Sequence, residues 1–208
     1  MIFGTMFLGG VKHFKDQKIQ TKFLMVGIPI APIEGDSMLV TKVVPGGRQG
    51  IPLKLHMQSV LAGYTRVLTL VGAFILIMLG LNNHVPVMTA VGVLLAGLAV
   101  YLYFFLGRST AQENEMREMV GELTGFYVLP EWLESAMAYH LFNSVRAVYE
   151  EGGRLWQNDV LNGVRVDVKC TYVIALLYAV YDPCEESERL REKAEVLYKG
   201  GGKLAVVR

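Results

Sequence analysis

Between Val67 and Leu106 the chain carries no Asp, Glu, Lys or Arg, an unbroken stretch of forty residues whose only titratable charge would be on His84. A run of that length, flanked by charged segments, constrains the fold more than any other feature. Val67–Leu81 is apolar over fifteen residues, about 22 Å of helix, which is short of a hydrocarbon core of about 30 Å. The preceding turns, Gln58–Thr65, complete a span if the Arg66 guanidinium reaches the headgroups. Val85–Leu106 is long enough alone at twenty-two residues. Asn82-Asn83-His84, with Pro86 just inside the next helix, is a tight turn. The expectation is therefore an antiparallel transmembrane hairpin of Gln58–Leu81 and Val85–Leu106, with the lipid bilayer as its first partner.

Small residues recur along both predicted helices at helical spacing. In the first they are Ser59, Ala62, Thr69 and Ala73, interrupted by Arg66; in the second they are Thr89, Gly92, Ala96 and Ala99. Small side chains let backbones approach, a main source of helix association in lipid. One reading packs the two helices on each other. The sharper one makes Arg66, Thr89, Gly92, Ala96 and Ala99 an interaction surface for a further subunit, a protein partner or a second copy. For Arg66 itself, snorkelling to lipid phosphate is the simple account, since neither helix contains an acid to pair with it. Lys54, Arg66 and Arg108 lie on the side of both termini and the intervening turn has no Lys or Arg, so both termini are expected in the cytoplasm. Tyr64, Tyr101 and Tyr103 would form the aromatic belt there. The location implied is a bacterial inner membrane, crossed twice.

Charge divides the rest of the chain. Residues 1–66 hold eight Lys/Arg and three acids, +5, whereas 107–208 sum to −4, leaving +1 overall with a mean hydropathy of +0.36. Such a balance gives no nucleic-acid footprint. Three segments follow: a β-rich region over 1–56, the hairpin over 57–107 and a helical domain over 108–208. The fold class expected is an α-helical membrane protein with a small β-rich N-terminal region and a C-terminal helical bundle. The N-terminus, Met-Ile-Phe-Gly, lacks a basic n-region and reads as mature sequence. Cys170 and Cys184 make neither a disulfide framework nor a zinc pattern.

In the first segment Thr21–Val26 is β-like, and Glu34-Gly35-Asp36 reads as a turn into a second strand, Ser37–Val44. Pro29 and Pro32 restrict their stretch to an edge. Pro45-Gly46-Gly47 and Gly50 mark a further loop, from which Ile51–Leu55 could return. The series Phe23, Gly27-Ile28-Pro29-Ile30-Ala31-Pro32-Ile33, Leu39-Val40, Gly50-Ile51-Pro52-Leu53 and Ser59–Tyr64 resembles uncharacterised bacterial two-helix membrane proteins with a β-rich N-terminal region. More distantly it is similar to small membrane zinc-ribbon proteins. Those carry cysteine pairs ahead of the Phe…Pro-x-x-Pro stretch; this chain has no cysteine before Cys170, and a zinc ribbon needs four ligands. The resemblance implies an architecture and no activity.

In the last segment Thr110-Ala111-Gln112-Glu113 is a capping-box pattern, and Gly125 can end that helix. Pro130-Glu131-Trp132 is expected to open the next, with Leu133, Ala136, Met137, Leu141, Val145 and Val148 on its apolar side, up to Gly152-Gly153. Val168–Tyr181, apolar nearly all round but short for a span, reads as a buried central helix. Asp182-Pro183-Cys184-Glu185 would cap the last helix, which carries Glu195 and Lys199 at i,i+4 and ends at Gly200-Gly201-Gly202.

Candidate chemistry is sparse. Glu34-Gly35-Asp36-Ser37-Met38 is similar to the Ser-Met box of type I signal peptidases, whose chemistry requires a Lys base; no matching Lys box follows, and a hairpin turn is the simpler reading. His13, His56, His84 and His140 are dispersed, and His140 is placed at the edge of the core. Trp132 and Trp156 read as core. No phosphate-binding glycine loop, metal or cofactor is expected. The functional expectation is a membrane-anchored interaction or scaffold subunit without intrinsic catalysis. The alternatives are a membrane-surface enzyme acting on lipid or peptide, or an oligomeric pore or transporter component.

Overall fold

The computed structural model describes residues 3–26, 28–45 and 47–202, with only the backbone at 3, 34–36, 201 and 202. It divides into two compact units, 1–110 and 111–208.

The first unit opens with a four-stranded antiparallel meander in the order β1 (Phe3–Phe14), β2 (Gln17–Val26), β3 (Ile28–Val44) and β4 (Gly47–Leu53). Alternation explains β2: Gln17, Ile19, Thr21 and Phe23 turn inward while Lys18, Lys22 and Leu24 face out. β1 was not expected. Its register slips on β2 between Leu8 and Val11 and again between Val11 and Phe14. Such bulges bend a strand and increase its twist, and they obscure the alternation by which a strand is recognised. The sheet curls enough for Arg48 on β4 to donate from Nη1 to the Phe7 carbonyl on β1 at 3.1 Å, its guanidinium 5.2 Å from the Phe7 ring.

The expected turn at 34–36 is a correction. β3 runs continuously from Ile28, and the chain reverses between Val26 and Ile28 instead. Segment 33–36 is a bulge between the Phe23–Pro32 and Thr21–Ser37 pairs. Pro29 and Pro32 do lie on an edge: β4 covers β3 only from Ser37 to Val44, so nothing needs their missing donors on that side. Gly50 belongs to β4, opposite Val40, while β3 gives way to β4 between the paired Val44 and Gly47.

Two long apolar helices follow, α1 (Met57–Asn82) and α2 (Pro86–Phe105), within a residue of the expected hairpin bounds. Both are long and apolar enough to cross a membrane. They pack along small residues: a Cβ on Gly92 would lie 2.9 Å from the Ile77 nitrogen and 3.1 Å from the Ala73 carbonyl, and one on Gly80 would lie 2.4 Å from Thr89 Oγ1. Away from that seam, and beyond the first turns of α1 that pack on the sheet, they are exposed. Phe74 is 65% and Leu94 74% accessible.

The second unit is helical: α3 (Ala111–Thr124), a 3-10 turn (Pro130–Trp132), α4 (Ser135–Glu150), α5 (Trp156–Leu161), α6 (Val168–Tyr181) and α7 (Glu185–Gly202). α6 is the buried centre, touching α3, α4, α5, α7 and the 3-10 turn. It is apolar on every side because every side is covered. Phe142, Trp156, Tyr178 and Tyr181 form an aromatic cluster beside it.

Three local expectations change here. Pro130–Trp132 is a separate 3-10 turn, so α4 starts five residues later and its phase rotates. The buried face is Ala138, Leu141, Phe142, Val145 and Tyr149, while Val148 is 70% exposed. His140 is on the exposed side, edge-on to Tyr139. The cap of α7 is Cys184, not Asp182: the Cys184 N–H donates to Ser187 Oγ at 3.0 Å and the Ser187 N–H to Cys184 Sγ at 3.4 Å. That is a capping box with a thiol in the usual hydroxyl place. α7 extends to Gly202, within the glycine triplet expected to close it.

Candidate functional site

A polar constellation in the first unit joins the sheet to the ends of both long helices. It starts at the beginning of α1. His56 is the N-cap, its Nδ1 accepting the Ser59 N–H at 3.3 Å. The His56 N–H donates to Ser37 Oγ at 3.0 Å, and that hydroxyl lies 2.8 Å from Thr21 Oγ1. Ser37 is thus a buried junction in β3, not part of a turn. It meets the main chain of His56, while the imidazole Nδ1 caps α1.

One turn on, Ser59 Oγ donates to the Gly9 carbonyl at 2.7 Å. Gly9 has φ +66°, and a Cβ there would sit 1.8 Å from the Ser59 carbonyl oxygen; only glycine allows that approach. Phe23 is fully buried against Gly63, where a Cβ would come within 2.7 Å of its ring, and it meets Tyr64 edge-on at 5.3 Å. The Tyr64 hydroxyl donates to the Ile30 carbonyl at 2.8 Å.

Arg66 is the hub. Its Nη1 donates to the Gly10 carbonyl on β1 at 2.8 Å, and its Nη2 to the carbonyls of Tyr103 at 3.2 Å and Leu106 at 3.0 Å. The last carbonyls of a helix have no partner within it, and a guanidinium near them is favoured by the helix dipole. Arg108 assists, its Nε donating to the Phe104 carbonyl at 3.0 Å. The Lys12 N–H donates to the Gly107 carbonyl at 2.7 Å, tying β1 to the exit of α2. Arg66 therefore fastens three elements through main-chain oxygens, where snorkelling alone would leave it directed at solvent or lipid.

The other four residues of the expected interaction surface lie along the α1–α2 seam. Gly92 sits on Ile77 and Ala73, Thr89 faces Gly80, Ala99 is buried and Ala96 is half-buried. Gly9, Gly10 and Lys12 are the junction residues that pattern reasoning missed, and the adjacent glycines were the available signal.

Elsewhere on the sheet, His13, Lys15, Asp16, Lys18 and Lys42 line an open groove of about 270 Å³. Burial pulls the Arg48 guanidinium down from its ordinary range. In the helical unit, Arg117 is fully buried with Nε donating to the Tyr127 carbonyl at 2.8 Å; burial lowers it to about 10, against the favourable field of Glu113. Val160, Leu161, Gly163, Val196 and Leu197 line a mostly apolar groove of about 390 Å³ between α5 and α7. Among the described residues no three His, Cys, Asp or Glu side chains gather as a metal site.

Comparison with protein-family models, with curated proteins and with solved structures returns no match.

Proposed function

We propose that this chain is a bilayer-anchored scaffold subunit: the α1–α2 hairpin spans an inner membrane with both termini cytoplasmic, the sheet is fixed at the membrane surface, and the helical unit engages a protein partner or a second copy. The observation that carries the reading is the exposed apolar surface of α1 and α2. The core helix of a soluble protein is equally apolar but covered, whereas here Phe74, Val87, Leu94 and Phe104 are all more than 60% exposed. Exposed apolar surface on that scale is costly in water and favourable in hydrocarbon. The cations Arg66 and Arg108 gather at the end of the hairpin that meets the sheet, as the positive-inside rule requires of a cytoplasmic face.

The scaffold part rests on the helical unit. Leu161 and Val196, 45% and 71% exposed, stand at the α5–α7 groove, and Leu155, Val164 and Val166 are exposed on the flanking loops. A patch of apolar side chains on an otherwise charged unit suits a protein contact.

Two measurements test this. A cysteine placed at Asn83 in a background lacking Cys170 and Cys184 should be labelled only from the outer side of the membrane; cytoplasmic labelling would overturn the orientation. Crosslinking with mass spectrometry on native membranes should capture a partner or second copy through α5 and α7. A protein that stays alone and monomeric in membranes would refute the scaffold role.

A further inference from the structure

The sheet is chemically polarised along its strands. β1 has no charged residue before Lys12, and none occurs from Phe23 to Ile33. These stretches lie side by side, with Met6 opposite Phe23, Phe3 opposite Val26, Phe23 opposite Pro32 and Val26 opposite Ile28. They form one uncharged end of the sheet, while Lys15, Asp16, Lys18 and Lys42 occupy the other. At the uncharged end Met6, Leu24, Ile28 and Ile30 are 52%, 43%, 45% and 52% exposed, a clustering that a soluble surface would bury.

The bonds to α1 fix where this end points. His56, before the first turn of α1, bonds to Ser37, which pairs with Thr21. Two residues further along β2, Phe23 meets Gly63, and the partner strand offers the Ile30 carbonyl to Tyr64. β2 therefore runs alongside α1 in the same direction. Val26 lies three residues past Phe23, about 10 Å of strand, whereas Arg66 lies three residues past Gly63, about 4.5 Å of helix. The strand end therefore comes to about the level of Arg66. Lys22, opposite Phe7, and Arg48, bonded to the Phe7 carbonyl, stand on the border between the uncharged and charged halves.

We propose that the β2–β3 end of the sheet is itself seated in the lipid bilayer, with Ile28 and Ile30 at the boundary between headgroups and acyl chains and Lys22 and Arg48 among the lipid phosphates. The proposal rests on the reading that the α1–α2 hairpin spans a membrane. Continuity with the exposed apolar face of α1 through the Tyr64–Ile30 bond makes lipid the occupant. Apolar side chains entering the interface beside cations that meet anionic headgroups are the ordinary mode of interfacial attachment.

The test uses the full chain in vesicles of phosphatidylcholine and phosphatidylglycerol, with and without acyl-brominated lipid. Tryptophan is introduced singly by Ile28→Trp, by Leu94→Trp in the hairpin and by Val43→Trp at the far end of β3, and the emission of Trp132 and Trp156 is subtracted with the parent protein. Leu24→Trp repeats the strand measurement while keeping Ile28. Bromolipid should quench Ile28→Trp, Leu24→Trp and Leu94→Trp at least threefold more than Val43→Trp, with blue-shifted emission from the first two. Quenching of Leu94→Trp with none at either strand position overturns the seated sheet and leaves the spanning hairpin intact. No quenching at Leu94→Trp overturns the spanning reading, and this proposal with it. Strand tryptophans shielded from iodide but untouched by bromolipid are covered by protein, a second copy included, which also overturns the proposal.

Discussion

Ser59 and Gly9 pack so closely that the hydroxyl of one bonds the carbonyl of the other at 2.7 Å and no Cβ fits on the glycine. Gly9→Ala must both adopt a positive φ and displace α1 from β1. It should destabilise the first unit by about 3 kcal/mol or more, since the strain of the left-handed backbone adds to the steric overlap. Gly10→Ala, where the nearest atom is 3.6 Å away, should cost under about 1 kcal/mol. Thermal unfolding in a mild detergent compares the two, and equal melting temperatures would dismiss the close approach.

Arg66→Met keeps the aliphatic stem and removes the donors to Gly10, Tyr103 and Leu106. Hydrogen bonds from a charged group contribute about 1.5–3 kcal/mol each at most, and part of that is regained from water at this half-buried site. A loss of about 2–4 kcal/mol is expected, together with faster proteolysis between residues 1 and 56. Arg66→Lys should recover less than half, because an ammonium cannot fork to β1 and α2 together. A variant as protease-resistant as the parent would show that Arg66 is not what fastens the sheet.

Gly92→Ile distinguishes the two readings of the small-residue seam. A side chain there meets Ile77 and Ala73, so the hairpin should open and lose about 1–3 kcal/mol, with little change in oligomeric state. Light scattering of the detergent-solubilised protein, alongside its melting temperature, is the measurement. Loss of an oligomer at unchanged stability would assign Gly92 to a contact between subunits.

The two cysteines should differ sharply. Cys184 is exposed, and the Ser187 backbone N–H on its sulfur favours the thiolate, lowering its pKa. Cys170 is buried in α6 and pushed up to about 11 by burial, then by Asp167. Iodoacetamide near neutral pH should modify Cys184 alone, as peptide mass spectrometry would reveal, with Cys170 reacting only on unfolding. Equal labelling of the folded protein would contradict this.

A pH dependence follows from the same burial. Cys170 ionises near 9 when unfolded and about 11 when folded, and Tyr149 moves from 10.0 to about 12 through burial and its bond to Asp159. The unfolded chain releases these protons first, so stability is complete below pH 9 and declines as pH rises through about 11 and 12. Circular-dichroism melts of the full chain at stepped alkaline pH should show the helical unit weakening from pH 9 upward, less steeply in Cys170→Ala. A flat profile to pH 11 would refute the assignment.

The hairpin was legible because length and absence of charge over Val67–Leu106 leave few alternatives, and α6 because its apolar character exceeds what one face requires. β1 was illegible: Gly9-Gly10 and two bulges break its alternation. The misreading at 34–36 has a related cause, since Gly and Asp mark a bulge and a turn alike, and pairing with β2 decides between them. In α4 the phase error came from counting Pro130–Trp132 as the first helical turn. The role of Arg66 could not be read from the sequence, because its partners are main-chain oxygens and no side-chain pattern encodes them.

The link from β4 to α1 is only residues 54–56, and beyond it Ser59, Tyr64 and Arg66 each grip a different carbonyl of the sheet. Such a joint has no free hinge. Torque applied to the long helices would be delivered to the sheet as rotation instead of dissipating in a linker.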